Sequence, residues 1–224
     1  MSVSIAVDGP VGAGKTTICD AVCSALGILH LDTGAMYRAL GLASLRAGVS
    51  PDDREGVIAL LDTTDIDVKY EDGVQATLLN GENVNAFIRD QEVGSAASAV
   101  SRYPEVRRHM VALQQAMARR QSMLLDGRDI GTVVLPNADV KIYLTASSRV
   151  RAERRQAQLK ESGSDIPLEE IIREVEARDW QDMHRETDPL RQAEDAVLVD
   201  SSDLTFDETV EKVLSVIREG VKDE

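Results

Sequence analysis

An α/β fold is what this sequence predicts: a five-stranded parallel sheet flanked by helices, with a small antiparallel insertion. Three observations carry that reading. Short apolar runs of buried-strand character alternate with segments of helical apolar spacing along most of the chain. A glycine-rich stretch from Gly9 to Gly14 lies between the first such run and the first helix. Near Thr64 the pattern switches to period-two alternation punctuated by turn dipeptides, and the helical alternation then resumes. A length of 224 residues suits one such domain carrying a modest insertion.

Each element follows from local pattern. Val3 to Val7 is a short buried strand, and Ile18, Val22, Ala25 and Leu26 recur at helical spacing until Gly27 stops the helix. Ile28 to Leu31 is a second strand, and Gly34 to Arg46 a second helix. Ser50-Pro51 reads as an N-cap followed by a first-turn proline, opening a helix to about Leu61. Ile66, Val68 and Tyr70 then alternate with polar residues, Glu71-Asp72-Gly73 turns, Val74, Ala76 and Leu78 alternate again, and Asn80-Gly81 is a second turn. A helix is expected from Asn85 to Val100, broken at Tyr103-Pro104, and another from Glu105 to Gln121. Strands at Met123 to Leu125, Val140 to Leu144 and Ala196 to Val199 complete the sheet. Helices are expected from Ser147 to Leu159, Leu168 to His184 and Phe206 to Arg218, with Glu161-Ser162-Gly163-Ser164-Asp165 as a flexible connection. The expected organisation is a core of residues 1–63 and 104–224, a lid at about 155–168, and an insertion at 64–103.

Composition narrows the function. Hydrophobic residues make up 43% and charged residues 29%, which excludes collagen, low-complexity disorder and a coiled-coil rod. No run approaches the ~18 apolar residues of a membrane span, and Met1 to Val7 lacks the pattern of a signal peptide. The net charge is −14, so non-specific coating of nucleic acid is not expected. An anionic ligand must be held by locally concentrated cations, and 19 of the 25 basic residues are arginine, whose planar fork suits phosphate. Cys19 and Cys23 lie four apart, as two reduced core thiols on one helical face would, in keeping with a cytoplasmic protein.

Gly9 to Thr16 fits G-x-x-x-x-G-K-[ST] in its confirming context, strand before and helix after. The residues Gly9, Pro10, Val11, Gly12, Ala13, Gly14, Lys15, Thr16 and Thr17 are expected to wrap a nucleoside triphosphate with backbone N–H groups, aided by the positive end of the following helix. Lys15 would bridge the terminal phosphates, and the Thr16 hydroxyl would ligate Mg²⁺. The fold class is therefore a P-loop NTPase fold. An N-K-x-D base-reading motif of switch GTPases is absent.

Further arginines stand at the ends of elements. Arg38 follows the second strand in Asp32-Thr33-Gly34-Ala35-Met36-Tyr37-Arg38. Arg128 follows the third main-sheet strand in Asp126-Gly127-Arg128-Asp129, where Asp126 is a candidate indirect Mg²⁺ partner. Both lie at strand C-terminal ends, the rim where open parallel sheets bind ligands. Arg151, Arg154 and Arg155 share one helix face beside the flexible connection, as a mobile lid would arrange them. Arg178, Asp182 and Arg185 are spaced i, i+4, i+7, so they are expected to share one helix face. Arginines from four segments around one rim favour a second anionic substrate.

With these motifs in order over nearly the whole chain, the sequence resembles the bacterial cytidylate kinases. The marks are the Gly-Pro-x-Gly-Ala-Gly-Lys loop, Asp32 to Arg38, Asp126 to Asp129 with Ile130-Gly131-Thr132-Val133-Val134, Arg151-Ala152-Glu153-Arg154-Arg155, and Arg178-Asp179…Asp182…Arg185. The resemblance implies transfer of the γ-phosphate of ATP to CMP or dCMP with Mg²⁺; a monomer is the default expectation. It implies that Arg38, Arg128 and Arg185 bind the monophosphate, beside Thr33 and Tyr37. Ser98, Arg107 and Asp129 would read the cytosine, and Arg178 and Asp182 would hold the ribose. Lys15 and the lid arginines Arg151, Arg154 and Arg155 would be catalytic, and the insertion from Thr64 would be the monophosphate-binding subdomain. The family often has serine at the positions of Val11 and Thr33. The residues themselves leave other acceptors open: UMP, another deoxynucleotide, or a metabolite hydroxyl with Asp126 as base. A nucleotide-binding switch without turnover has no use for a second arginine-lined pocket.

Overall fold

The computed structural model describes residues 3–71, 73–161 and 163–221. Asp72 of the first expected hairpin turn and Ser162 of the expected flexible connection lie outside the described residues, as do Met1 and Ser2. The parallel sheet has five strands, in the order β2-β6-β1-β7-β8, and a separate three-stranded sheet has the order β3-β4-β5. These are β1 (Ser4–Asp8), β2 (Leu29–Asp32), β3 (Ile66–Glu71), β4 (Val74–Leu79), β5 (Glu82–Asn83), β6 (Met123–Gly127), β7 (Val140–Thr145) and β8 (Val197–Asp200). The α/β fold expected from the sequence is thus the observed one. By its internal contacts the chain divides into two compact units, Met1–Ile28 with Ser122–Glu224, and Leu29–Gln121.

In the first unit, β1 pairs in parallel with β6 and with β7, and β7 with β8. Helices α1 (Lys15–Leu26) and α8 (Phe206–Gly220) cover these strands. Their shared core is Ile5, Val7, Ile18, Val22, Leu124, Ile142, Leu144, Val199, Val213, Leu214 and Ile217, with Cys19 and Cys23 as buried free thiols. The aliphatic stripes of both helices face one way, so burial of about 25 cal/mol per Å² supplies the main stabilising term. Gly27 ends α1 in the left-handed conformation, its N–H donating to the Cys23 carbonyl. A capping box between Thr205 and Glu208 opens α8. Helices α6 (Ser148–Glu161) and α7 (Leu168–His184) pack on each other around Ala152, Ile171 and Val175.

In the second unit, α2 (Thr33–Arg46) packs on α4 (Gln91–Val100). The approach is close because Gly41 has no side chain: a Cβ there would lie 2.8 Å from the Ala97 nitrogen. The antiparallel meander has the expected register, Ile66 opposite Leu79 and Glu71 opposite Val74. Asn80 and Gly81 both have positive φ, the conformation that a two-residue hairpin turn demands.

Three expectations need correction. The third helix, α3 (Arg54–Leu61), starts at Arg54 with Asp53 as its cap, because the Asp53 carboxylate accepts from Gly56 N at 3.1 Å. Ser50 and Pro51 precede it in a turn, where the Ser50 hydroxyl accepts from Asp52 N. The fourth helix begins at Gln91 rather than Asn85. The Asn85 side chain instead donates to the Gln75 carbonyl at 2.7 Å and accepts from Thr77 N at 3.0 Å, and so pairs with β4 as a strand would. Arg185 is not on the face of α7; it lies one residue past the helix with extended backbone. The remaining helix of this unit, α5 (Pro104–Ala118), begins at the proline.

Candidate phosphate-binding site

The glycine loop joins β1 to α1 within the first unit. Gly9, Gly12 and Gly14 all have positive φ, at 155°, 75° and 83°. Gly9 cannot be replaced, since a Cβ would sit 1.9 Å from the Leu144 carbonyl oxygen of β7. Lys15, the first residue of α1, is buried and folds back on its own loop. Its Nζ donates to the Gly9 carbonyl at 2.8 Å and the Pro10 carbonyl at 2.9 Å. Burial, and next the nearby Arg128 guanidinium, lower its pKa to about 7.

Three carboxylates stand around this lysine. Asp126, at the end of β6, accepts from the Thr16 hydroxyl at 3.2 Å. This pair of hard oxygen donors suits Mg²⁺, which takes one or two protein oxygens and completes its shell with phosphate and water. Among the described residues no cluster of three or more His, Cys, Asp or Glu exists that would hold a metal without such help. Asp8, the last residue of β1, is buried and accepts from Ile130 N at 2.7 Å and Gly131 N at 2.8 Å. It thereby pins the short π-helical turn, residues 130–134, that follows Arg128 and Asp129. Burial raises its pKa to about 6, against those two amide bonds. Asp182 on α7 accepts from Arg128 Nε at 2.8 Å. Burial opposes ionisation of Asp182, but Arg128 together with Arg185 and Arg178 outweighs it and holds the carboxyl below its usual range.

The other acceptor-side arginine of this unit is also paired. Arg185 is 3.2 Å from Asp129 and 4.0 Å from Asp182, and its Nε donates to the Asp188 carbonyl at 2.7 Å. Arg128, Arg185, Asp129 and Asp182 therefore form one network next to Lys15. Arg178 lies on α7 at an exposed position, near enough to help lower the Asp182 pKa.

The three helix α6 arginines have three different situations. Arg151 is 5% exposed and donates to the Ala146 and Val11 carbonyls, both at 2.8 Å. Arg154 is half-buried and donates to the Ser201 hydroxyl and carbonyl. Arg155 is exposed.

Thr33, Tyr37, Arg38, Ser98 and Arg107 belong to the second unit. Thr33 opens α2, which Asp32 caps by accepting from Ala35 N at 3.0 Å. Arg107 is 2% exposed, and its guanidinium lies 5.7 Å from the centroid of the Tyr37 ring. Ser98 and Arg38 are half-buried on α4 and α2. A pocket of ≈ 330 Å³ in this unit is lined by Ala43, Arg46, Leu60, Leu79 and Glu82 among others and holds none of the residues singled out by sequence. Its arginine is already spent on Glu82, at 2.6 Å.

Two residues of the site had no role assigned from the sequence, Asp8 and Asp179, although Asp179 stands inside a quoted motif. Asp179 is 12% exposed and 2.6 Å from Arg151. The signal for it was present, because Ile171, Val175 and Asp179 follow one another at intervals of four, which places an acid on a buried helix stripe.

The cytidylate kinase family model matches residues 5–219. A protein named cytidylate kinase from Caldicellulosiruptor bescii is 48% identical over 99% of this chain and 98% of its own. Another from Pasteurella multocida is 44% identical over 97% of this chain and 96% of its own. Among solved structures, shikimate kinase from Bacteroides thetaiotaomicron superposes with a TM-score of 0.52 at 12% identity, covering 97% of this chain and 99% of that one, a likeness of fold alone. A match over nearly the full length, with the glycine loop and its lysine at the end of β1, means that this chain belongs to the cytidylate kinase family.

Proposed function

We propose that the chain catalyses ATP + (d)CMP ⇌ ADP + (d)CDP. The observation that carries this reading is the burial of Lys15 close to Arg128, in a chain of net charge −14. A buried lysine and a half-buried arginine so near each other repel, which favours an anion between them. A triphosphate on the lysine side and a monophosphate on the arginine side meet that need. The family's named relatives are cytidylate kinases, which favours cytidine as the acceptor's base.

The proposed division of labour combines the placements within each unit with the roles that the family resemblance implies. Backbone N–H groups of Gly9 and of Gly12 to Thr17, with Lys15, take the β- and γ-phosphates. Thr16 and Asp126 would hold Mg²⁺, which when bound neutralises charge on the phosphate oxygens. Arg38, Arg128 and Arg185, with Thr33 and Tyr37, take the acceptor phosphate. Ser98, Arg107 and Asp129 read the cytosine ring, whose N4 amino group suits a carboxylate or hydroxyl and whose O2 and N3 suit a guanidinium. Arg178 and Asp182 hold the ribose. Residues 64–103 serve as the monophosphate-binding insertion, and 155–168 as the lid carrying Arg155 beside Arg154. The acceptor phosphate is already ionised at neutral pH, so attack on the γ-phosphorus needs no general base. Catalysis is then alignment, charge neutralisation and exclusion of water that would otherwise hydrolyse ATP. We place the protein in the cytoplasm as a monomer; two buried unpaired thiols fit a reducing compartment, and no described helix is long and apolar enough to cross a membrane.

The test is a panel of nucleoside monophosphates offered with ATP and Mg²⁺ while ADP release is followed. CMP and dCMP should lead. Preference for UMP or AMP would reject the base-reading assignment.

A further inference from the structure

Val11, at the apex of the glycine loop, is held on every side by α6 and α7. Its N–H donates to Asp179 Oδ1 at 3.3 Å, and its carbonyl accepts from Arg151 at 2.8 Å. The remaining carboxylate oxygen, Asp179 Oδ2, lies 2.6 Å from Arg151 NH2. The four groups close a ring: amide, carboxylate, guanidinium, carbonyl. The Val11 side chain packs against the apolar cluster of Ala152, Ile171 and Val175 between the two helices. The next residue, Gly12, rests on Arg151, whose Cβ would lie 3.3 Å from any Cβ placed there. Arg151 is anchored in turn by Nε to the Ala146 carbonyl, just before α6.

From this we propose that Arg151 and Asp179 are a positioning pair that sets the shape of the glycine loop from helices α6 and α7, and that Arg151 acts through Val11 rather than by touching the transferring phosphoryl group. The inference rests on the phosphate-loop part of the proposed function. Both polar groups of the Val11 peptide are consumed by the pair, so Val11 is not a phosphate donor. Its fixation instead aims the amides that follow it. The pair is buried, with side chains 6% and 12% exposed, so neither partner is free to swing away without leaving the other charge unpaired. Asp179 cancels the charge of Arg151, so the pair offers a triphosphate no net attraction and contributes through loop geometry.

This gives the test a sign. Asp179→Asn removes the negative charge and turns one oxygen into an N–H₂ that faces the guanidinium, a donor against a donor. Plain electrostatics, or an Arg151 freed to reach the triphosphate, makes ATP bind more tightly. A lost loop geometry makes it bind more weakly. The readout is Mg·ATP affinity measured by calorimetry with no acceptor present, alongside the KM for CMP. The expected result is ATP affinity reduced by roughly tenfold, the scale of one charge-assisted hydrogen bond, with the KM for CMP changed less than about twofold. Unchanged or tighter ATP binding, or an equal loss for CMP, overturns the proposal. If Asp179→Asn does not fold, Arg151→Lys carries the test, because a lysine keeps the charge but has no fork to span Val11 and Asp179. In nucleotide-free Arg151→Lys, amide exchange at Val11 to Ala13 should quicken, and unchanged protection there overturns the proposal. The ATP measurement stands apart from the acceptor panel, so failure to phosphorylate CMP would refute the proposed function and leave this inference separately decided.

Discussion

Loading the glycine loop with nucleotide should draw a proton from solvent, and the proton should go to Lys15. The lysine sits buried between the Gly9 and Pro10 carbonyls with a pKa of about 7, lowered first by burial and then by Arg128. At pH 8 a group of that pKa is about nine-tenths neutral, whereas at pH 6 it is about nine-tenths charged. Anionic phosphate oxygens beside Nζ favour the charged form and lift the pKa well above 8. Binding of ADP at pH 8 should therefore take up about 0.9 proton per site through Lys15, and at pH 6 about 0.1. The assay is calorimetry in buffers of different ionisation enthalpy, where the slope of the observed heat gives the protons exchanged. Subtracting the same measurement on Lys15→Met removes protons exchanged by the nucleotide itself and by other residues. A difference near zero at pH 8, or one that does not fall between pH 8 and pH 6, would refute the reasoning.

Two further outcomes are expected. Asp8 has a native pKa of about 6 against an ordinary 3.8, so its contribution to folding is greatest below pH 4 and is lost as pH rises through 6. Relative to wild type, Asp8→Asn should thus gain on the order of 3 kcal/mol between pH 4 and pH 7, on top of a pH-independent loss at the Ile130 and Gly131 amides. Thermal melts at the two pH values check this, and parallel curves would contradict it. Asp182→Ala leaves Arg128 without the carboxylate 2.8 Å away, at side-chain exposures of 23% and 18%. The KM for CMP should rise by at least roughly tenfold, with the KM for ATP nearly unchanged, and steady-state kinetics with each substrate varied would reveal an equal loss for both if the assignment is wrong.

Much of the architecture was legible because local chemistry and final structure agree. Gly27 ends α1 and Pro104 opens α5 for reasons internal to the backbone, and Asn80-Gly81 makes its turn wherever two strands flank it. The glycine loop is legible for the same reason, since the conformation it needs is written in three glycines with positive φ. Of the misread boundaries, that of α3 lay between two local caps, Ser50 and Asp53, whereas that of α4 was set by a side chain bonded into another element. Asn85 pairs with Gln75 and Thr77 of β4 instead of opening a helix, and hydrophobic periodicity does not register such side-chain to backbone bonds.

By itself, then, the sequence determined the alternation of elements, the phosphate loop, and which arginines were available for anions, because each of these depends on residues within a turn or two of one another. Only the tertiary structure decided what those charges do. It consumed Arg151 with Asp179 and Val11, set Arg128 against Asp182 and Lys15, and left Arg155 exposed, although the three α6 arginines look alike in the chain. The reason is physical: a charge takes its role from the dielectric and partners around it, and those come from other elements of the fold, well beyond the reach of local spacing.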